Sequence, residues 1–174
     1  PYRSGWDKAF AAANGKRFSL RPIRPADVAL YPAFLEQVSQ DDIRLRFLAP
    51  RRKFPDEMLK RLTQLDYDRE MAFVAVEEDG ALAGIARISA DPNHENAEFG
   101  LMVRTDLQGH GLGWALLSHL IDYARADGLS RIEGMMLDEN VKMIEMAKEL
   151  GFAVSDHPED PGLELAVLDL KRAG

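Results

Sequence analysis

The sequence predicts an α+β fold built on one mixed sheet, and three observations carry the prediction. Two apolar runs meet at Glu78-Asp79-Gly80, as the arms of a hairpin do. An apolar run with a single acid, Ala97-Glu98-Phe99-Gly100-Leu101-Met102-Val103, leads into the glycine-rich segment Gln108-Gly109-His110-Gly111-Leu112-Gly113, after which helical periodicity begins. Short strands and helices then alternate towards the C-terminus. Hairpins and crossovers thus share one chain, with parallel pairing expected across the helix that follows the glycine turn.

Residues 17–24 alternate polar and apolar side chains as a half-buried strand does. Residues 25–38 have helical character, and Pro32 is expected to kink or divide them, because proline lacks an amide donor and crowds the preceding turn. From Pro55 onward, Met58, Leu59, Leu62 and Leu65 recur at helical spacing. Residues 71–76 and 81–88 are the hairpin arms. A turn at Asp91-Pro92-Asn93 leads into the strand that carries Glu98. Behind Gly111, the side chains of Leu112, Leu116, Leu117, Leu120, Ile121 and Ala124 share one helical face, with Gly128 as its stop. Residues 131–137 form the next strand, 141–150 a helix ended by Gly151, and 152–155 and 163–170 the last strands. Residues 1–16 show no sustained alternation and are expected to be an N-terminal arm, with 17–174 as the domain proper.

A chain of 174 residues with 46% hydrophobic content can bury a core of its own. Without cysteine it holds no disulfide, thiolate metal site or cysteine nucleophile, which fits a reducing cytoplasm. No apolar run approaches the length of a membrane span, so no membrane partner is expected. The net charge of −7 argues against nucleic acid and suits a cationic substrate. Because the chain opens on Pro1, it is expected to be a piece excised from a longer protein.

A glycine-rich turn between strand and helix aims several backbone N–H groups, and the positive end of the helix dipole, at a phosphate. A P-loop is excluded, since Gly113 is followed by Trp114-Ala115 where Lys and Ser/Thr are required. The spacing is G-x-G-x-G, not the G-x-G-x-x-G of a dinucleotide fold. The phosphate cradle therefore serves a ligand whose reactive end lies along the preceding strand. There, alternation puts Glu98 on one face with Gly100 and Met102, opposite Ala97, Phe99 and Leu101.

The block Gln108-x-x-Gly111-x-Gly113, with Asn140 and the later Glu149-Leu150-Gly151-Phe152, resembles the GNAT superfamily of acyl-CoA-dependent N-acyltransferases over residues 18–170. The phrases Arg21-Pro22-Ile23-Arg24-Pro25, Asp66-Tyr67-Asp68-Arg69-Glu70-Met71-Ala72 and Ala97-Glu98-Phe99 resemble the catalytic domain of bacterial Pat-type protein lysine acetyltransferases. The likeness implies a mostly antiparallel sheet flanked by helices, with splayed central strands. It also implies acetyl-CoA as cosubstrate, no metal, and an acyl-CoA synthetase-type protein as the acceptor, switched off by acetylation of its active-site lysine.

By the same likeness, Glu98 is the general base that takes a proton from the lysine amine, whose ordinary pKa is about 10.4. The backbone of Leu101, Met102 and Val103 holds the pantetheine arm as an added strand, with Gly100 either a bulge or a packing residue. The amides of Gly109, His110, Gly111, Leu112 and Gly113 take the pyrophosphate and Gln108 borders it. Asn140 touches the pantetheine, and Met143 lines its pocket. The carboxylates of Asp68, Glu70, Asp138 and Glu139 are rivals to Glu98. The tyrosine that many GNAT enzymes use to protonate the departing thiolate is replaced here by Ala147, which leaves the general acid unassigned.

Bland readings are expected elsewhere. His94, His119 and His157 are surface or packing residues, Trp114 packs, and Arg51-Arg52-Lys53 is a solvated loop. Two alternatives stay open: a small-molecule amine as acceptor, or a non-catalytic acyl-CoA sensor.

Overall fold

The computed structural model describes residues 5–51 and 53–171. One eight-stranded sheet runs through it in the order β1-β2-β3-β4-β5-β6-β8-β7. In chain order its strands are β1 Lys8–Ala11, β2 Arg17–Pro22, β3 Glu70–Glu77, β4 Leu82–Ala90, β5 Asn96–Val103, β6 Arg131–Leu137, β7 Ala153–Asp156 and β8 Leu163–Asp169. The helices are α1 Tyr31–Glu36, α2 Gln40–Phe47, α3 Asp56–Thr63, α4 Leu112–Ala126 and α5 Val141–Glu149. Every neighbouring pair of strands is antiparallel except β5 with β6, which are parallel across the α4 crossover as the sequence predicts.

The two sheet faces carry separate cores. Phe73, Ala75, Ala86 and Ile88 point with Ala97 towards α4 and α5. Ala72, Val74 and Ile85 point with Met102 towards α1, α2 and α3. The β3 strand is buried on both faces, which explains why it reads as a continuous apolar run. All six residues of the predicted α4 face are buried. That helix packs closely because Gly84 has no side chain: a Cβ there would meet Leu116 Cδ1 at 2.9 Å and Met102 O at 3.2 Å.

Pro32 acts as expected, since a short 3-10 helix at Pro25–Leu30 hands over to α1 beside it. Two further elements differ from the sequence reading. Residues 40–47 form a helix that periodicity does not reveal, because charged and apolar side chains nearly alternate there. Its signal is the cap, where the Ser39 hydroxyl accepts the Asp42 N–H at 3.0 Å.

The predicted arm, residues 1–16, is also corrected. Residues 1–4 lie outside the described residues, but Lys8–Ala11 is an edge strand paired with β2. Trp6 stacks on Tyr123 at 5.2 Å, and its carbonyl bonds His119 Nε2 at 2.7 Å. A short edge strand with exposed side chains leaves no alternating pattern to find.

Two of the three phrases that resemble Pat-type domains, at 21–25 and 66–72, are scaffold. Arg21 forks the buried Asp27 carboxylate at 2.8 and 2.7 Å. The Ile23 N–H bonds Ala72 O at 2.8 Å, and the Tyr67 hydroxyl donates to Ile23 O at 2.6 Å. The two phrases therefore bind each other. At the end of β5, the buried Arg104 guanidinium joins Glu77 and Asp106, each at 2.8 Å.

Gly84→Val should force α4 off the sheet and cost about 1–3 kcal/mol, read as a melting temperature lower by several degrees. The Arg104 hydrogen bond holds the Asp106 carboxyl below its usual range. A depressed folded-state pKa stabilises the fold above the ordinary carboxylate pKa, and that gain is lost as pH falls through the folded value. Denaturant titrations should therefore separate the native chain from Asp106→Asn by about 0.2–1 kcal/mol at pH ~7, with the gap closing as pH falls below the ordinary carboxylate pKa and through the folded value.

Candidate active site

Strands β5 and β6 pair only over Asn96, Ala97 and Glu98 against Arg131, Ile132 and Glu133. Beyond Glu98 they part. The cleft between them has a volume of 1370 Å³ and is walled by β5, β6, α2 and α5, with the glycine turn at one end.

Beyond the last rung, β5 pairs with no other strand on the cleft side. Arg104 N–H bonds Ala83 O at 2.9 Å, in register with the unbroken pairing from Gly84–Val103 to Ala90–Ala97. Antiparallel alternation then turns the amides of Glu98, Gly100 and Met102 to β4, and those of Leu101 and Val103 to the cleft. An extended ligand arm can add there as a strand. This corrects the expectation for Met102, whose backbone belongs to the β4 ladder and whose side chain lines the cleft. The Phe99 amide lies on the same side as those of Leu101 and Val103 but closes the last parallel rung, towards Glu133 of β6. No bulge occurs at Gly100.

The glycine turn has the backbone of an anion cradle. Gly109 and Gly111 sit at φ +87° and +93°, where a β-carbon would be strained. Ala115 N–H is the first amide of α4 bonded within the helix, to Gly111 O at 3.0 Å, so the N–H groups of Leu112, Gly113 and Trp114 precede the ladder. Gly113 lets the helix end approach, since a Cβ would lie 3.2 Å from Met146 Cε and 3.4 Å from Leu101 Cδ2. Gln108, Gly109, Gly111 and Gly113 line the cleft, while the Leu112 side chain is core. The Gln108 amide group fastens the turn, donating to Asp42 Oδ2 at 2.8 Å and Val103 O at 3.2 Å. Thr105 Oγ1 donates to the same Asp42 oxygen at 2.6 Å. The His110 carbonyl accepts Ala13 N–H at 3.1 Å.

Glu98 stands at the fork, exposed and lining the cleft. Its register partner is Glu133, so two carboxylates stand one strand spacing apart, about 4.8 Å between backbones, where the strands begin to part. Sequence reasoning missed Glu133. The sign available was the alternation of β6, whose 133 and 135 positions face away from buried Ile132, Gly134 and Met136.

Of the rival acids, only Glu139 lines the cleft, and Arg44 pairs with it. Glu70 accepts the Asp66 N–H at 3.4 Å in the turn before β3. Asn140 caps α5, its Oδ1 accepting Met143 N–H at 3.4 Å, and both residues line the cleft.

Other expectations change. Trp114 does not pack but stands 45% exposed at the cleft wall. Of the run at 51–53, Arg52 lies outside the described residues, and Arg51 packs over the Phe47 and Phe54 rings. His119 is a packing residue and His94 joins Asp127. His157 lines the cleft, with Nδ1 accepting the Glu159 and Asp160 amides, which leaves the neutral ring's proton on Nε2. Ala147 is fully buried, and no tyrosine, serine or threonine is among the described residues of the cleft wall.

Arg46 is the other residue that the sequence did not reveal. It reaches the cleft from the last turn of α2 and lies against Gly100. Burial first, and the neighbouring Arg87 charge second, push its pKa down to about 10.

A model of the acetyltransferase (GNAT) family matches residues 37–152. An acetyltransferase of Pseudomonas aeruginosa is 33% identical over 150 residues, 84% of this chain and 81% of that protein. Acetyltransferase Pat of Mycolicibacterium smegmatis is 31% identical over 142 residues, 79% of this chain but 42% of that longer protein. The crystal structure of the GNAT domain of S. lividans PAT superimposes with a TM-score of 0.90 at 25% identity, covering 97% of this chain and 99% of that one.

Asp42→Ala should release Thr105 and Gln108 together. Amide hydrogen exchange is expected to quicken over 105–111 by about tenfold or more while α4 beyond Leu116 keeps its protection, given that a hydrogen bond to a charged group contributes about 1.5–3 kcal/mol.

Proposed function

Because the chain belongs to the GNAT acetyltransferase family, we propose that it moves the acetyl group of acetyl-CoA to a protein lysine amine, with Glu98 taking the amine's proton. The observation that carries this reading is the position of Glu98. It stands where β5 and β6 part, at the head of a strand whose free edge runs towards the glycine turn.

Bound acetyl-CoA supplies the acyl group as a thioester. Leu101 and Val103 offer the backbone edge that aligns its extended arm. The amides of Gly109 to Gly113 receive the pyrophosphate, in a turn that Gln108 and Asp42 hold together. Asn140 and Met143 close the α5 side. An amine is a nucleophile only after it loses a proton, and Glu98 meets it on the sheet face opposite α4. Glu133 beside it favours a cationic acceptor over a neutral one. With Ala147 buried, this chain has no hydroxyl at that point to protonate the leaving thiolate, so solvent or the amine's own proton serves.

The likeness to Pat supports a protein lysine as acceptor, with an acyl-CoA synthetase as the target and the cytoplasm as the setting. The cleft's carboxylates keep a small polyamine as the second reading. Acetyl-CoA-dependent thiol release, with an acyl-CoA synthetase and with spermidine as competing acceptors, separates them. Glu98→Gln should lower kcat/KM for the protein acceptor by about tenfold or more near neutral pH, with acetyl-CoA binding retained. Undiminished turnover would move the base elsewhere. Tight acetyl-CoA binding without any thiol release would leave a sensor.

A further inference from the structure

We propose that Arg46 is the carboxylate-binding residue of the cleft, its guanidinium receiving a carboxylate carried either by the acyl group of the donor or by the acceptor beside its amine. The inference rests on the reading of the cleft as an acyl-transfer site.

The guanidinium is clamped. A β-carbon built on Gly100 would lie 2.5 Å from Nη2, 2.6 Å from Cζ and 2.9 Å from Nε, so the planar group lies flat against the backbone of β5. The guanidinium also meets the Phe47 ring, 4.8 Å from Cζ to the centroid. A guanidinium fixed in this way has lost most of its conformational freedom before any ligand arrives, which favours binding. Gly100 is the residue that admits it.

What the clamp lacks is an acid. Arg21 forks Asp27, and Arg104 joins Glu77 and Asp106. None of the ion pairs among the described residues includes Arg46. A second cation, Arg87, acts on it instead, standing opposite Gly100 in the β4–β5 register and donating to Leu62 O at 2.8 Å. Two adjacent guanidiniums in a partly desolvated place repel each other, and a carboxylate that meets Arg46 from the cleft offsets that repulsion.

The location gives the site its use. Gly100 is two residues beyond Glu98 on the same face of β5, about 7 Å along the strand. An amine at Glu98 and a carboxylate at Arg46 are therefore within the span of one small zwitterion, or of one acyl chain ending in an acid.

Two arms separate the sources. Calorimetry without acceptor compares succinyl-CoA with acetyl-CoA as ligands of the described chain. Steady-state acetyl transfer compares Nα-acetyl-lysine with its amide, which offers the same amine without the carboxylate. In one arm the carboxylate-bearing probe should be preferred by about tenfold or more, and Arg46→Gln should bring that ratio close to one, with Arg46→Lys between them. Gly100→Ala, which displaces the guanidinium without removing it, should act like Arg46→Gln and serves if that variant fails to fold. A ratio near one in both arms of the native chain overturns the proposal. So does a preference that survives both substitutions, or a fall of both probes together that leaves the ratio unchanged. If no amine is acetylated at all, the acetyl-transfer reading fails, and the donor arm alone decides for or against Arg46.

Discussion

The arrangement depends on where two parallel strands stop pairing. β5 and β6 share three rungs and then separate, and the ring of Phe99 fills the space at the point of separation. A Cβ on Gly134 would lie 2.5–2.9 Å from that ring, so glycine at 134 lets Phe99 lie across β6 and reach Phe152 at 5.2 Å. Three consequences follow from the parting. The β5 backbone keeps a free edge, the two carboxylates of the last shared rung open into a cleft, and α4 begins at the far end with its amides facing the same space. Had the pairing continued, hydrogen bonds to β6 would have taken the edge that a ligand needs.

The electrostatics of the cleft divide along its length. The cleft wall carries Glu98 and Glu133 at their shared rung, and Glu145 and Glu149 from α5. Two residues further along β5 the sign reverses at Arg46, with Arg87 behind it on β4. Opposite charges so close to one another normally pair. Here the guanidinium is held flat by Gly100 and Phe47, away from the carboxylates, and the separation persists because packing fixes it.

Much of this was legible in the residues. The α4 face, the hairpin at Gly80, the glycine turn and the strand carrying Glu98 each follow a local rule of spacing or conformation, and local rules survive folding. What escaped detection arises between distant segments. Glu133 matters because of its register with Glu98, and register is a tertiary fact. Arg46 belongs to a helix with no apolar stripe, and its role depends on a glycine 54 positions away in sequence. β1 is held by contacts that its own four residues do not announce. The Pat-like phrases at 21–25 and 66–72 were legible as a likeness, but only the structure reveals them as joints of the scaffold, with Tyr67 bonded to Ile23.

The edge hairpin touches the glycine turn twice. Ala13 donates to the His110 carbonyl, and Phe10 Cζ would lie 3.6 Å from a Cβ on Gly111. Both contacts come from residues ahead of 37, where the family match begins. The part of the molecule that is most standard in sequence is thus steadied by a part that is not. Relatives that share the turn but begin differently can hold it at different stiffness, so evolution can adjust affinity for the donor at the chain's beginning without altering one residue of the motif.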